Sequence, residues 1–238
     1  MLSYLFGGKK SDKKENENAE LAMREALDEH EEFHCEEDGC MNFDDYIVLR
    51  AVINRQQMRH CQAAKDKNVE KSVELFKKNS ISSEYAQNFG ELQKLQAEAG
   101  KLMTEKACEW IDFELKNFMA TSKKISEDKE KTKKVTDKMI EVRKQYHSEV
   151  YSFAGTKEDA FKAIMFRTER EGEIHRKMML QKYISPPQIV QSYAALEMTK
   201  MNDAMMVKFG FGMDQLMVAV EKFDLQNDAK FKSLQEIS

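Results

Sequence analysis

The chain has 238 residues, 34% charged and 41% apolar, with nine glycines and only two prolines. That composition excludes a disordered chain, no apolar run nears the roughly 18 residues of a membrane span, and four cysteines are too few for a disulfide scaffold. The net charge of −4 hides a segregation, because residues 15–45 carry thirteen acids against one arginine, a net of −12 that leaves +8 for the rest.

Residues 1–14 read as an amphipathic basic segment. Leu2, Leu5 and Phe6 are spaced i, i+3, i+4, which puts them on one face of a short helix. Gly7–Gly8 end that turn, and Lys9, Lys10, Lys13 and Lys14 follow. An apolar face beside lysines is the composition of an interfacial membrane anchor. The charges follow the apolar stretch, the reverse of a secretory signal, so a cytoplasmic protein on the membrane periphery is expected.

Residues 15–43 read as an acidic helix or arm, with a helix near 17–33 and a turn at Asp38–Gly39. Residues 44–223 then hold three helical runs, at about 44–79, 81–154 and 156–222, and 224–238 form a tail. Ser82 or Ser83 is placed to cap the second run. Unbroken, that run would span roughly 110 Å. Its apolar positions (Tyr85, Phe89, Leu92, Leu95, Ala99, Leu102, and on to Tyr146) alternate by threes and fours, a seam for partner helices at shallow angles. The polar interval 126–134 interrupts the seam and is a place for a bend or break. Gly155 suits a helix C-terminus and Thr156 an N-cap, with Asp159 at N3, so a tight antiparallel hairpin is expected there. Pro186–Pro187 mark a kink or restart capped by Ser185.

Few constellations suggest chemistry. Eight of the sixteen methionines lie between Met178 and Met217, read first as core or oligomer interface. His30, His34, Cys35, Cys40, His60 and Cys61 match no zinc-site spacing, so no metal is expected. The stretch from His34 to Asp45 resembles a degenerate EF-hand loop. Gly39 stands at the turn position, but His34 and Glu36 stand where the family has Asp or Asn, and Asp45 replaces the bidentate Glu. No phosphate loop, nucleophile elbow or carboxylate pair is visible, so the expectation is a protein that is not an enzyme and has no cofactor.

The basic residues say more. Residues 123–144 hold nine cations (Lys123, Lys124, Lys129, Lys131, Lys133, Lys134, Lys138, Arg143, Lys144) against five acids. Residues 162–182 hold six (Lys162, Arg167, Arg170, Arg176, Lys177, Lys182) against three. A hairpin at Gly155 would place the two segments side by side. Anionic lipid would gain about 1 kcal/mol for each cation near its surface. No nucleic acid partner is expected, because no aromatic residues interleave the cations.

Residues 45–222 resemble a BAR domain, the crescent-shaped dimer that binds curved membranes. The resemblance rests on a short, long, long helix order and on the course from Phe113 to Phe118, through lysine-rich sequence, to Val135 and Tyr146–Val150. The N-terminal segment is similar to the inserting helix of the N-BAR subgroup. The resemblance implies an all-α, elongated three-helix coiled coil and a homodimer on anionic membrane lipids. Its interface would use Tyr85, Phe89, Leu92, Met201, Met205 and Phe211, and the two basic segments would face lipid. The alternative reading is a non-enzymatic coiled-coil scaffold that binds proteins such as a small GTPase, with a calcium response through the EF-like turn.

Overall fold

The structure, a computed structural model, describes residues 8–30, 32–79, 82–182, 185–229 and 231, with side chains from residue 18 onward. It is all-helical, 83% helix, with no strand among the described residues. The helices are α1 (Gly8–Asp28), α2 (Phe43–Asn79), α3 (Ser83–Trp110), α4 (Leu115–Ser126), α5 (Lys129–Val150), α6 (Lys157–Gln181), α7 (Pro187–Phe209) and α8 (Met213–Lys222). A 3-10 turn, Leu225–Asn227, follows.

The first expected run is observed almost to the residue as α2. The second is not continuous, for two local reasons. At Trp110–Phe113 the Asp112 backbone takes the left-handed conformation at φ 51°. Its N–H bonds to the Glu109 carbonyl at 3.3 Å, and the Phe113 N–H reaches back five residues to Cys108 at 2.9 Å. This is a Schellman ending without glycine, and the Phe113 ring packs on the core beneath it. The second break falls inside the flagged 126–134 interval. Asp128 Oδ1 accepts from the N–H groups of Glu130 (2.9 Å) and Lys131 (3.0 Å), so Asp128 starts α5 as an N-cap.

The third run also divides. Pro186, not Ser185, holds the N-cap position of α7, and its proline partner fills the first turn. The Ser185 hydroxyl instead meets Gln181 at 3.2 Å. Gly210 ends α7 at φ 78°, where a side chain would be strained. Thr156 does cap α6. Its hydroxyl accepts from the Asp159 N–H (3.2 Å), and the Asp159 carboxylate accepts from the Thr156 N–H (2.9 Å). Gly155 is not a helix ending, because α5 stops at Val150. A Cβ there would lie 2.7 Å from the Phe153 ring, which gives the reason for glycine.

The chain divides into two compact units: Met1–Lys65 with Gln93–Arg143, and Asp66–Leu92 with Lys144–Ser238. In the first unit Met23 and Leu27 of α1 meet Tyr46, Leu49 and Ile53 of α2, Met103 and Ala107 of α3, and Phe118 and Ile125 of α4. The acidic segment is therefore no free arm. Helix α1 starts earlier and ends earlier than expected, and its apolar face, with Met41, is core. In the second unit α6 packs on α7 and α8. Its core joins Phe153, Ala160, Ala163 and Ile164 to Met205, Leu216, Ala219 and Leu225, ringed by Phe166, Phe209, Phe211 and Phe223.

Candidate functional site

Helix α4 shows how the first unit builds its surface. Phe118, Thr121 and Ile125 face inward. The Thr121 hydroxyl donates to the Asn117 carbonyl (2.8 Å) and accepts the Met41 N–H (2.9 Å), which pins the 34–45 turn against the helix. Burying that face leaves Leu115 39% and Met119 61% exposed, one turn apart on the outside. Lys123, one further turn on, is exposed and makes no ion pair with a described residue. Lys129, Lys134 and Arg143 on α5 are in the same condition, and Ile140, three residues before Arg143, is exposed.

Other predicted lipid contacts are engaged inside the chain. Lys133 pairs with Asp137 at 2.9 Å and Lys138 with Glu141 at 3.0 Å. Lys131 lies 5.3 Å over the Phe43 ring. In the second unit Lys162 pairs with Glu158 (3.0 Å), Arg167 with Glu171 (2.7 Å), Arg170 with Glu173 (2.7 Å) and Lys177 with Glu197 (3.1 Å). Arg176 is exposed. Lys144 borders a groove of about 1070 Å³ along α6 and α8, with Arg167, Gly172, His175 and Val220 among its walls. Lys9, Lys10, Lys13 and Lys14 fall on α1, with side chains outside the described residues, and Leu2, Leu5 and Phe6 lie outside the described residues altogether.

The residues expected at a dimer interface divide by burial. Tyr85, Met201 and Met205 are buried within the second unit itself. Phe89, Leu92 and Phe211 are half-buried, and Phe211 meets Phe153 edge-on at 4.8 Å.

The EF-like turn carries a different cation from the one its resemblance implies. The Lys124 ammonium bonds Glu36 at 2.6 Å and Asp38 at 2.8 Å. That contact, then the Cys40 N–H, holds the Asp38 carboxyl down to about 2. The Lys124 amine is raised in turn by Asp38 and then Glu36. Asp45 accepts from His30 (2.9 Å) and from the His34 backbone (2.7 Å) and ring (3.2 Å). Burial pushes Asp45 upward, but those donors outweigh it and its carboxyl sits below the usual range. Among the described residues no group of three or more His, Cys, Asp or Glu could hold a metal ion. Burial raises the thiols of Cys61 and Cys108, the latter to about 11, so neither is poised as a thiolate.

One polar centre was not foreseen. Asp203 of α7 is 1% exposed, and its Oδ2 accepts from the Ser72 and Tyr85 hydroxyls, each at 2.5 Å. Burial raises the Asp203 carboxyl above its ordinary value, with the Ser72 and Tyr85 donors opposing the shift. The Tyr85 phenol is raised by burial and then by the same carboxylate. In α7 the buried residues lie on two opposite sides, Met201 and Met205 on one and Asp203 on the other, so a polar residue there is enclosed by the fold rather than turned to water.

Compared with known families, curated proteins and solved structures, the chain matches no family model, no curated protein and no solved structure. No helix of the described residues is long and apolar enough to cross a membrane.

Proposed function

We propose that this protein is a non-catalytic peripheral module that binds anionic membrane surfaces, as a homodimer of BAR-like, crescent-forming three-helix coiled coils. The observation that carries the lipid reading is the outer side of α4 and α5. There Leu115 and Met119 stand exposed beside Lys123, and Lys129, Lys134 and Arg143 are free of acidic partners among the described residues. Aliphatic side chains next to free cations suit the boundary between headgroup and acyl chain, where both kinds of contact are favourable. The resemblance of 45–222 to BAR domains adds the dimer. The breaks at Asp112 and Asp128 depart from the long second helix of that family, so curvature preference is not carried over from it.

The test is vesicle binding by the full chain with Lys123, Lys129 and Lys134 changed to Glu. At about 1 kcal/mol per lost cation, affinity for phosphatidylserine vesicles falls by at least about 100-fold. Unchanged binding overturns the assignment of this face. The ion pairs on α6 favour a second reading, a scaffold for another protein such as a small GTPase, because a face of alternating, mutually paired charges offers little net attraction to lipid. Failure of the wild-type chain to bind anionic vesicles would select that reading.

A further inference from the structure

We infer that the α6–α7 corner is a second, separate lipid-contacting element that lodges aliphatic side chains among anionic headgroups; the inference rests on the lipid reading above. From Ile174 to Leu196 the chain holds no Asp or Glu, while Arg176, Lys177 and Lys182 give it a net of +3. It is the longest stretch of its kind within the second unit's helices, and it includes the turn between two of them. Arg176, Met179 and Leu180 are spaced i, i+3, i+4, so they share one face of α6. Leu180 is 71% exposed, the highest among the large hydrophobics described, and Met179 is 44% exposed. Ile189, in the first turn of α7 across the corner, is 57% exposed. Prolines 186 and 187 between them are exposed as well.

The Ser185 N–H bonds to the Gln181 carbonyl at 2.9 Å, and Pro187 sets the first turn of α7 without needing an N–H partner. Lys177 is held by Glu197, which leaves Arg176 and Lys182 as the available charges. Lys182 is the C-cap residue of α6, where a cation also complements the helix dipole, and Arg176 lies more than one turn before it.

Charge complementarity chooses the partner. A protein surface complementary to this corner would need acids around an apolar dent, whereas an anionic bilayer offers negative charge over hydrocarbon everywhere. Nucleic acid would use the cations but leave Met179, Leu180 and Ile189 in water. The partner is therefore an anionic lipid bilayer.

The experiment uses the full chain with vesicles of phosphatidylcholine, alone or mixed with phosphatidylserine. Leu180→Asp/Ile189→Asp and, separately, Arg176→Glu/Lys182→Glu are each expected to weaken binding to the anionic vesicles about tenfold or more. All four side chains are exposed, so helicity by circular dichroism is expected to be unchanged. Leu180→Trp supplies a second readout: its emission shifts to the blue and is quenched by brominated acyl chains only when anionic vesicles are added. If the wild type binds and both corner variants bind equally well, with no blue shift at position 180, the inference is overturned while the α4–α5 reading stands. If the wild type binds no anionic vesicle, both fall. A blue shift that follows protein concentration without lipid would assign the corner to a second copy of the chain and overturn the inference.

Discussion

Replacing Tyr85 by Phe removes a single oxygen from the interior of the second unit. The ring remains, packed 6.4 Å from Phe76, and no cavity larger than a hydroxyl is made. The loss is one of the two short hydrogen bonds to Asp203 Oδ2. A hydrogen bond to a charged group contributes about 1.5–3 kcal/mol. For a chain of this size that lowers Tm by about 3–12 °C. The pH dependence carries its own sign. The folded Asp203 carboxyl is raised above its unfolded value of 3.8, so the native state binds more protons than the unfolded state as pH climbs above 3.8. Stability attached to this group therefore falls as pH rises through that window, the opposite of an ion-paired carboxylate. Without the Tyr85 donor the folded value rises further and the window widens, so Tyr85→Phe costs more at pH 8 than at pH 5. In an Asp203→Asn background the penalty drops to the roughly 0.5–1.5 kcal/mol of a neutral pair and loses its pH dependence. Urea unfolding followed at 222 nm, for the four proteins of the cycle at both pH values, makes the measurement. Equal penalties in both backgrounds and at both pH values would show that the Tyr85 hydroxyl is not coupled to the Asp203 carboxyl.

Three further outcomes are expected. Asp112→Val costs about 1–2 kcal/mol in urea unfolding, since a branched residue resists φ 51°, whereas Asp112→Gly is neutral or stabilising. Val equal to wild type would show that α3 does not end in that conformation. The Asp38 carboxyl carbon titrates near 2 by NMR and returns toward 3.8 in Lys124→Met; its contribution to stability is present above the unfolded value and is lost as pH falls toward 2. Gly155→Ala costs about 1–3 kcal/mol by thermal melting, because the new methyl meets the Phe153 ring at 2.7 Å.

The long α2, the Ser82 and Thr156 caps and the proline restart were legible because each rests on local chemistry: a hydroxyl accepts the Tyr85 N–H at 3.1 Å, and a capping box closes at Asp159. The break at Asp112 was hidden for a related reason. Helix endings are read from glycine, and here an aspartate takes the left-handed position, held by the Phe113 side chain it places on the core. The fate of the acidic segment depended on tertiary packing. Met23, Leu27 and Met41 looked sparse among acids, yet they suffice to seat α1 once α2 and α3 supply the facing side chains. Removing residues 15–43 would remove part of the core, so whether these acids repel an anionic surface is tested by neutralising exposed Glu25 and Glu29. Charge counts located the basic segments but could not say which cations are free. Lys124 has the same composition around it as Lys123, and only the fold sends it to Glu36 and Asp38. Tyr85 looked like a seam residue because its spacing is that of one. Its hydroxyl and the distant Asp203, 118 residues on, make it an interior anchor instead.

The most direct test of the central claim is co-sedimentation of the wild-type chain with vesicles of neutral lipid and of neutral lipid mixed with phosphatidylserine, over a series of salt concentrations. The expected result is binding to the anionic vesicles alone, strongest at low salt and weakening as the Debye length contracts from about 30 Å at 0.01 M to about 8 Å at 0.15 M. Absence of the protein from the anionic pellet at the lowest salt, or equal binding to both compositions, would contradict it.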